Sequence, residues 1–382
     1  MFSSGAFTGE LISGFIYLTA CAVQIVTSLL TLRRVQGVKT WIPQSCEPVT
    51  ILIPFAGSDE NADRTLASYF SLSYPQVHLI FCGASDDEPA TALVRKLIVD
   101  TPNVQADLLI GRSSVSANPK LDNLEKAWKS VKSNWIIIAD ANIIIPTDYI
   151  ESLLGAAETD HIAGLISAVP LGSEPKSFWA WVECAFLNTY QARFLLTADA
   201  FGRGFAHGKT MGFRRELLDC AGGPASLASD VAEDSAATKI VRKAGLRVRL
   251  MSRPVHQPLG NRTFRDVWAR QMRWAQLRSR SYPWIFASEA LSSYLVPVLA
   301  AVSFASVTGF PWSAAAVSLA IAVSVDLMLA RAAAWPFSWN YIGACLCREL
   351  MIWVIWPTAW FTRRYSWRGN IIDLDGRIAR KI

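Results

Sequence analysis

Hydrophobic and polar positions divide the chain into two apolar ends and a middle of shorter alternating runs. Leu11 to Leu32 is apolar and uncharged, and Arg33-Arg34 follows at once. As a helix, that run rises about 33 Å, enough to cross a hydrocarbon core. A cleaved leader carries its basic residues before a shorter apolar run, whereas here they come after, so the pattern predicts an uncleaved anchor over 9–32. The positive-inside rule then places the residues from 33 onward on the cytosolic side.

Between 47 and 262 the period changes. Val49–Pro54, Val77–Cys82, Ala106–Ile110 and Trp135–Asp140 read as buried strands. Asp63–Phe70, Pro89–Val99 and Asp122–Val131 read as helices between them. This β-α-β rhythm predicts an α/β domain built on a mostly parallel sheet with helices on both faces. Ligands of such sheets bind beyond the carboxyl ends of the strands, where Asp86-Asp87 and Asp140 fall.

The second apolar region starts after an interfacial stretch, 263–285, where arginines alternate with Trp268, Trp274, Tyr282 and Trp284. That is the pattern of an amphipathic helix on an anionic membrane surface. Within 286–362, Leu291–Phe310 and Ser313–Leu329 predict a hairpin of two spans turning at Gly309–Trp312. Trp335–Phe361 is apolar but holds Arg348-Glu349 at its middle. A third span would carry the basic tail, 363–382, to the far side, so a re-entrant or interfacial helical element is expected there. Arg348 and Glu349 should face protein, because lipid exposure of either costs several kcal/mol.

Composition agrees with a membrane enzyme. Of 382 residues, 52% are hydrophobic and 15 are Trp, heavy for a soluble protein. The net charge of +6 sits beside apolar segments, which favours anionic lipid over nucleic acid as the basic residues' partner. The seven cysteines show no paired zinc spacing, and the four histidines are scattered, so reduced buried thiols are expected and no histidine metal cluster.

Five strings carry candidate chemistry. Asp140-Ala141-Asn142 ends a strand with a carboxylate and an amide, which can ligate Mg²⁺ or Mn²⁺ through oxygen; an Asx turn closing the strand is the alternative. Asp86-Asp87-Glu88 closes an earlier strand and could accept from a nucleotide, or merely cap the helix at Pro89. In Asn118–Asn123, Lys120 could meet a phosphate as a point charge and Asn123 could bond a nucleotide, or both could belong to a capped helix start. Asp234, at the start of a helix running to Ala244, is either a general base or a capping acid. Arg270-Gln271-Met272-Arg273-Trp274 places both arginines on one helix face. They can bind diphosphate while Trp274 packs on a sugar or acceptor, or the string can be a plain basic anchor.

Taken together these strings resemble the ceramide glucosyltransferase family, in its bacterial branch. The matching segments are Ser73-Tyr74-Pro75, Asp86–Ala90, Asn118-Pro119-Lys120 with Asn123, Asp140, Gly222-Gly223, Ala232-Glu233-Asp234, Arg270–Trp274 and Ser366-Trp367-Arg368. The resemblance implies a GT-A-type (Rossmann-like) glycosyltransferase domain, a UDP-sugar donor, a divalent metal (Mg or Mn) and inverting transfer to ceramide or a similar lipid. By it, Asp86/Asp87 is the first aspartate site, Asp140 the second and Asp234 the base. The first site has an extra residue before its proline, which leaves the choice between Asp86 and Asp87 open. A histidine of the animal enzymes is absent near Tyr190–Arg193. An integral protein of the bacterial inner membrane, with its catalytic domain cytosolic, is the expected setting. Hopanoid or diacylglycerol acceptors fit the same chemistry. A polysaccharide synthase would need several more spans, and a lipid-binding scaffold would not need Asp140, Asp234 and Arg273 together.

Overall fold

The computed structural model describes residues 4–37, 46–57, 60–111, 118–362, 364–367, 370–373 and 378–381. The basic tail and its Ser366-Trp367-Arg368 string lie largely outside the described side chains. The chain forms two compact units.

The α/β unit contains 34–174, 195–260 and 364–382. Its strands are β1 (Val49–Pro54), β2 (Val77–Gly83), β3 (Gln105–Ile110), β4 (Trp135–Ala139), β5 (Ala163–Ser167), β6 (Pro170–Pro175), β7 (Thr210–Arg214), β8 (Arg247–Leu250) and β9 (Val255–Gly260). Seven of them form one sheet in the order β3-β2-β1-β4-β7-β5-β8, and β6 pairs with β9. The four strands expected from the sequence are the four parallel neighbours β3-β2-β1-β4. Every residue of β1 and β4 is buried, which is why they read as unbroken apolar runs. Cores lie on both faces of this sheet. Ile51, Ile53, Phe81 and Ile137 face one side; Leu52, Ile80, Ile136 and Ile138 face the other.

β7 is antiparallel to both its neighbours. The alternation of strand and helix did not announce it. Its effect is local and large: an antiparallel strand brings its start, not its end, to the carboxyl edge, so Thr210 pairs with Ala139. Three short C-terminal strands, β10 (Arg364–Trp367), β11 (Asn370–Asp373) and β12 (Ile378–Lys381), form a separate antiparallel sheet.

The helical unit contains 1–33, 175–194 and 261–363. Among the described residues three helices are long and apolar enough to cross a membrane: Leu11–Gln36, Ser313–Ala332 and Asn340–Phe361. Leu11, Phe15, Leu18 and Leu29 on the first are exposed, as lipid-facing side chains would be. The re-entrant or interfacial element expected from the sequence covers Trp335–Phe361. That segment is one continuous 22-residue helix from Asn340, while Pro283–Ser292 and Leu295–Thr308 meet at 60°. Glu349 makes the break possible. Its Oε2 accepts from the Ser293 hydroxyl at 2.6 Å and the Tyr294 N–H at 2.9 Å, satisfying the interrupted backbone. Arg348 and Glu349 do face protein, at 0% and 4% exposure.

The interfacial stretch is a helix over Phe264–Ser281, started by a reciprocal Thr263/Asp266 capping box. Before it, Phe186–Ala192 winds as a π-helix. Among the described residues no two cysteines are joined by a disulfide.

Candidate active site

Four chain segments of the α/β unit meet beyond the end of β4. Asp140 follows that strand directly, its carbonyl held by the Tyr69 hydroxyl at 2.8 Å. Lys120 lies in the first turn of the helix Pro119–Trp128, whose N-cap is Asn118. Glu233 and Asp234 open the helix Glu233–Lys243. The loop His207–Lys209 precedes β7. It is tied to β4 by the Asp140 N–H donating to the Lys209 carbonyl at 3.3 Å.

Lys120 is the hub. Its Nζ lies 2.7 Å from Asp140 Oδ1 and 2.8 Å from Glu233 Oε1, and it donates to the Gly208 carbonyl at 2.7 Å. Lys209 lies on the other oxygen of Asp140, at 3.0 Å, and also donates to Asn142 Oδ1. Asn118 donates to Glu233 Oε2 at 3.2 Å. Asp234 accepts from the Gly208 N–H at 3.0 Å and from its neighbour Ser235 N–H at 2.8 Å. Gly208 leaves room for this cluster. A Cβ there would meet Glu233 Oε1 at 3.0 Å, Lys120 Nζ at 3.5 Å and Asp234 Oδ2 at 3.6 Å.

The electrostatics separate the two aspartates. Burial pushes Asp140 up, but Lys120 and Lys209 outweigh it and hold that carboxyl well below the ordinary range. Burial lowers Lys120, yet Asp140 and Glu233 hold it above its usual value, so it stays charged. Asp234 goes the other way. Burial and the adjacent Glu233 charge push it up to about 7, against the Gly208 N–H, Lys120 and the Ser235 N–H. Two titratable groups driven apart in this way match the requirement for one permanent anion and one proton acceptor near neutral pH.

The oxygens of Asp140 and Asn142 converge on one cation position. That donor set fits a divalent ion of the Mg²⁺ or Mn²⁺ kind, which takes one or two protein oxygens and completes its shell from phosphates and water. Among the described residues no group of three or more His, Cys, Asp or Glu is placed to hold a metal. The protein's share would therefore be these two ligands.

Of the residues picked out in the sequence, Lys120, Asp140, Asn142 and Asp234 are brought together. The others have different partners. Asp86 pairs with Arg95 at 2.7 Å on the surface, and the Asp87 N–H bonds Ser85. It is Glu88 of that string that reaches another loop, accepting from the Gly57 N–H at 2.8 Å. Asn123 is buried and donates to the Phe55 carbonyl at 3.4 Å, which places it behind the β1 loop. In the helical unit, Arg270 lies 2.6 Å from the fully buried Glu183 and 5.9 Å from the Trp274 ring, and Gln271 bonds Gln191. Arg273 and Trp274 are half-buried on the same helix. Missed in the sequence were Lys209, Glu233 as a partner of Lys120, and Gly208. The one signal for them was Gly208-Lys209-Thr210 entering an apolar strand.

The model of glycosyl transferase family 21 matches residues 15–378. The chain belongs to that family. The chain is similar to ceramide glucosyltransferases 1 and 3 of Caenorhabditis elegans. Each is 26% identical over 243 residues, or 64% of this chain. The match covers 52% and 53% of their own lengths, so the chain spans about half the length of the curated relatives it matches. A ceramide glucosyltransferase of Komagataella phaffii is 34% identical over 106 residues, 27% of this chain and 21% of that protein. Among solved structures, the mannosyltransferase PcManGT of Pyrobaculum calidifontis, in complex with GDP-mannose and Mn²⁺, aligns over 88% of this chain and 99% of its own. Its TM-score is 0.50 at 19% identity, a likeness of fold. This family 21 chain thus carries the GT-A-type domain that its sequence implied.

Proposed function

We propose that this chain is a membrane-bound inverting glycosyltransferase. It moves glucose, or a related hexose, from a UDP-sugar to the primary hydroxyl of ceramide. The observation that carries the proposal is the pairing of Asp234, raised to about 7, with the charged Lys120–Asp140–Lys209 cluster in one site. Family membership and the names of the relatives support the chemistry.

In this scheme Asp234 takes the proton of the acceptor hydroxyl as that oxygen attacks the anomeric carbon, and direct attack inverts the configuration. Lys120 and Lys209 supply positive charge to the departing diphosphate. A divalent ion, when bound at Asp140 and Asn142, would add Lewis-acid stabilisation of the same leaving group. Gly208 orients Asp234 through its N–H. Asp86 or Asp87 and Asn123 keep their proposed nucleotide contacts, and Arg270, Arg273 and Trp274 their proposed donor and acceptor roles. Arg273→Ala should weaken donor use; unchanged KM and kcat for the UDP-sugar would return that string to a membrane anchor.

The setting is the inner face of a bacterial membrane, with the α/β unit in the cytosol. The test is product identification. Membranes containing the chain receive UDP-glucose labelled with ¹³C, and in separate arms ceramide, a hopanoid or diacylglycerol. Mass spectrometry should find labelled hexosylceramide. Label in another lipid would move the acceptor, and label in none would remove the proposal.

A further inference from the structure

Lys209 stands where the Asp140–Asn142 pair would hold a divalent ion. Its Nζ is 3.0 Å from Asp140 Oδ2 and donates to Asn142 Oδ1. An ion bound to those oxygens would lie about 2.1 Å from each. Ammonium and ion would then compete for the same two oxygens at a separation two cations do not tolerate. Lys120 has different partners: Asp140 Oδ1, Glu233 and the Gly208 carbonyl.

The charge inventory points the same way. Lys120 and Lys209 balance Asp140 and Glu233, and Asp234 beside them carries at most a partial charge near neutral pH. A divalent ion arriving alone would put excess positive charge into a largely buried site. A diphosphate arriving with it brings the missing negative charge and new acceptors for the displaced ammonium. The geometry suits such a move. The Lys209 backbone is pinned to Asp140 at the start of β7, while its four-carbon stem can swing the ammonium without moving the strand.

We propose that Lys209 is a built-in counter-ion: it holds the divalent-cation position of the donor-free protein and yields it only when a nucleotide diphosphate is present to receive the ammonium. The inference rests on the UDP-sugar reading above. It makes ion and nucleotide bind with positive coupling, and linkage makes that coupling reciprocal.

The test uses the full chain in detergent, with Mn²⁺ titrated by electron paramagnetic resonance, with and without UDP. Wild-type protein should bind Mn²⁺ weakly alone and at least about tenfold more tightly with saturating UDP. Lys209→Met should bind Mn²⁺ alone about tenfold more tightly than wild type and lose most of the gain from UDP. Lys209→Arg, which keeps a cation on the same oxygens, should stay weak without UDP. A Lys209→Met affinity within about twofold of wild type in the absence of UDP overturns the inference. So does wild-type Mn²⁺ binding that is equally tight with and without UDP, a result that needs no variant to fold. Calorimetry of UDP with Mn²⁺ present separates the two levels: if UDP binds to neither protein, the donor assignment itself fails.

Discussion

The charged side chains around Asp140 and those around Arg348 are both largely buried and both near balance, yet they are finished differently. Around Arg348 every charge is answered. Its guanidinium meets Asp326 at 3.1 Å and Glu349 at 2.7 Å, and Arg193 meets the other oxygen of Asp326 at 2.9 Å. The Tyr294 hydroxyl, the Thr189 hydroxyl and the Ala185 carbonyl complete the set. Arg348 and Asp326 are wholly excluded from solvent. Around Asp140 the balance is deliberately loose: the Asp140 side chain is 26% exposed, and one carboxyl, Asp234, is held near neutrality. A closed quartet of charges fastens a broken helix. An open cluster with one displaced proton is poised to do chemistry.

Substitutions should divide along the same line. Asp234→Asn removes the proton acceptor but keeps the shape, so transfer should fall by roughly 10²–10⁴-fold. UDP binding should stay within a few-fold, as calorimetry can show. Turnover near the parent rate would end the base assignment. Arg348→Met removes the cation that Asp326 and Glu349 share in the helical unit, leaving two carboxylates to one arginine, and should destabilise by about 3–5 kcal/mol. The readout is thermal unfolding in detergent. If instead it leaves the melting point alone and abolishes transfer, the contrast drawn here is wrong.

A subtler separation comes from pH. The folded value of Asp234 lies above that of a free aspartate, so its proton is held more tightly in the fold. kcat/KM should therefore rise with pH through about 7, close to tenfold per unit below it, and level off above. The same shift should reduce stability as pH climbs from about 4 towards 7, the window in which the unfolded chain is ionised and the fold is not. A flat profile from pH 5 to 8 would place the acid limb on another group. The smallest effect belongs to Gly208→Ala. Its added methyl presses on Glu233, the neighbour of Asp234, and kcat should drop on the order of tenfold with little change in melting point.

How much of this was legible depended on whether a residue's partner was near it in the chain or implied by a parallel sheet. β1 to β4 and their helices could be read because buried parallel strands are unbroken apolar runs. Asp140, Lys120 and Asp234 could be found because each sits at the end of such an element. Lys209 could not. It contacts Asn142 across 67 positions, through a strand whose reversed direction no period reveals. The partners that Asp86 and Arg270 take in the fold, Arg95 and Glu183, were hidden as well, because a motif does not display them. The 60° bend between Pro283–Ser292 and Leu295–Thr308 was hidden for a related cause. Glu349 was recognised as costly in lipid, but the residues it serves, Ser293 and Tyr294, lie more than fifty positions away.

Gly208 offers its N–H to Asp234 and its carbonyl to Lys120. On the proposed mechanism, the two peptide groups flanking one α-carbon therefore join the proton acceptor to the cation that would face the leaving group. As Asp234 gains or loses charge, the pull on that N–H changes, and the carbonyl is one residue's φ and ψ away. Bond making at the acceptor and bond breaking at the donor would in this way share a common lever, a matter of timing rather than of affinity.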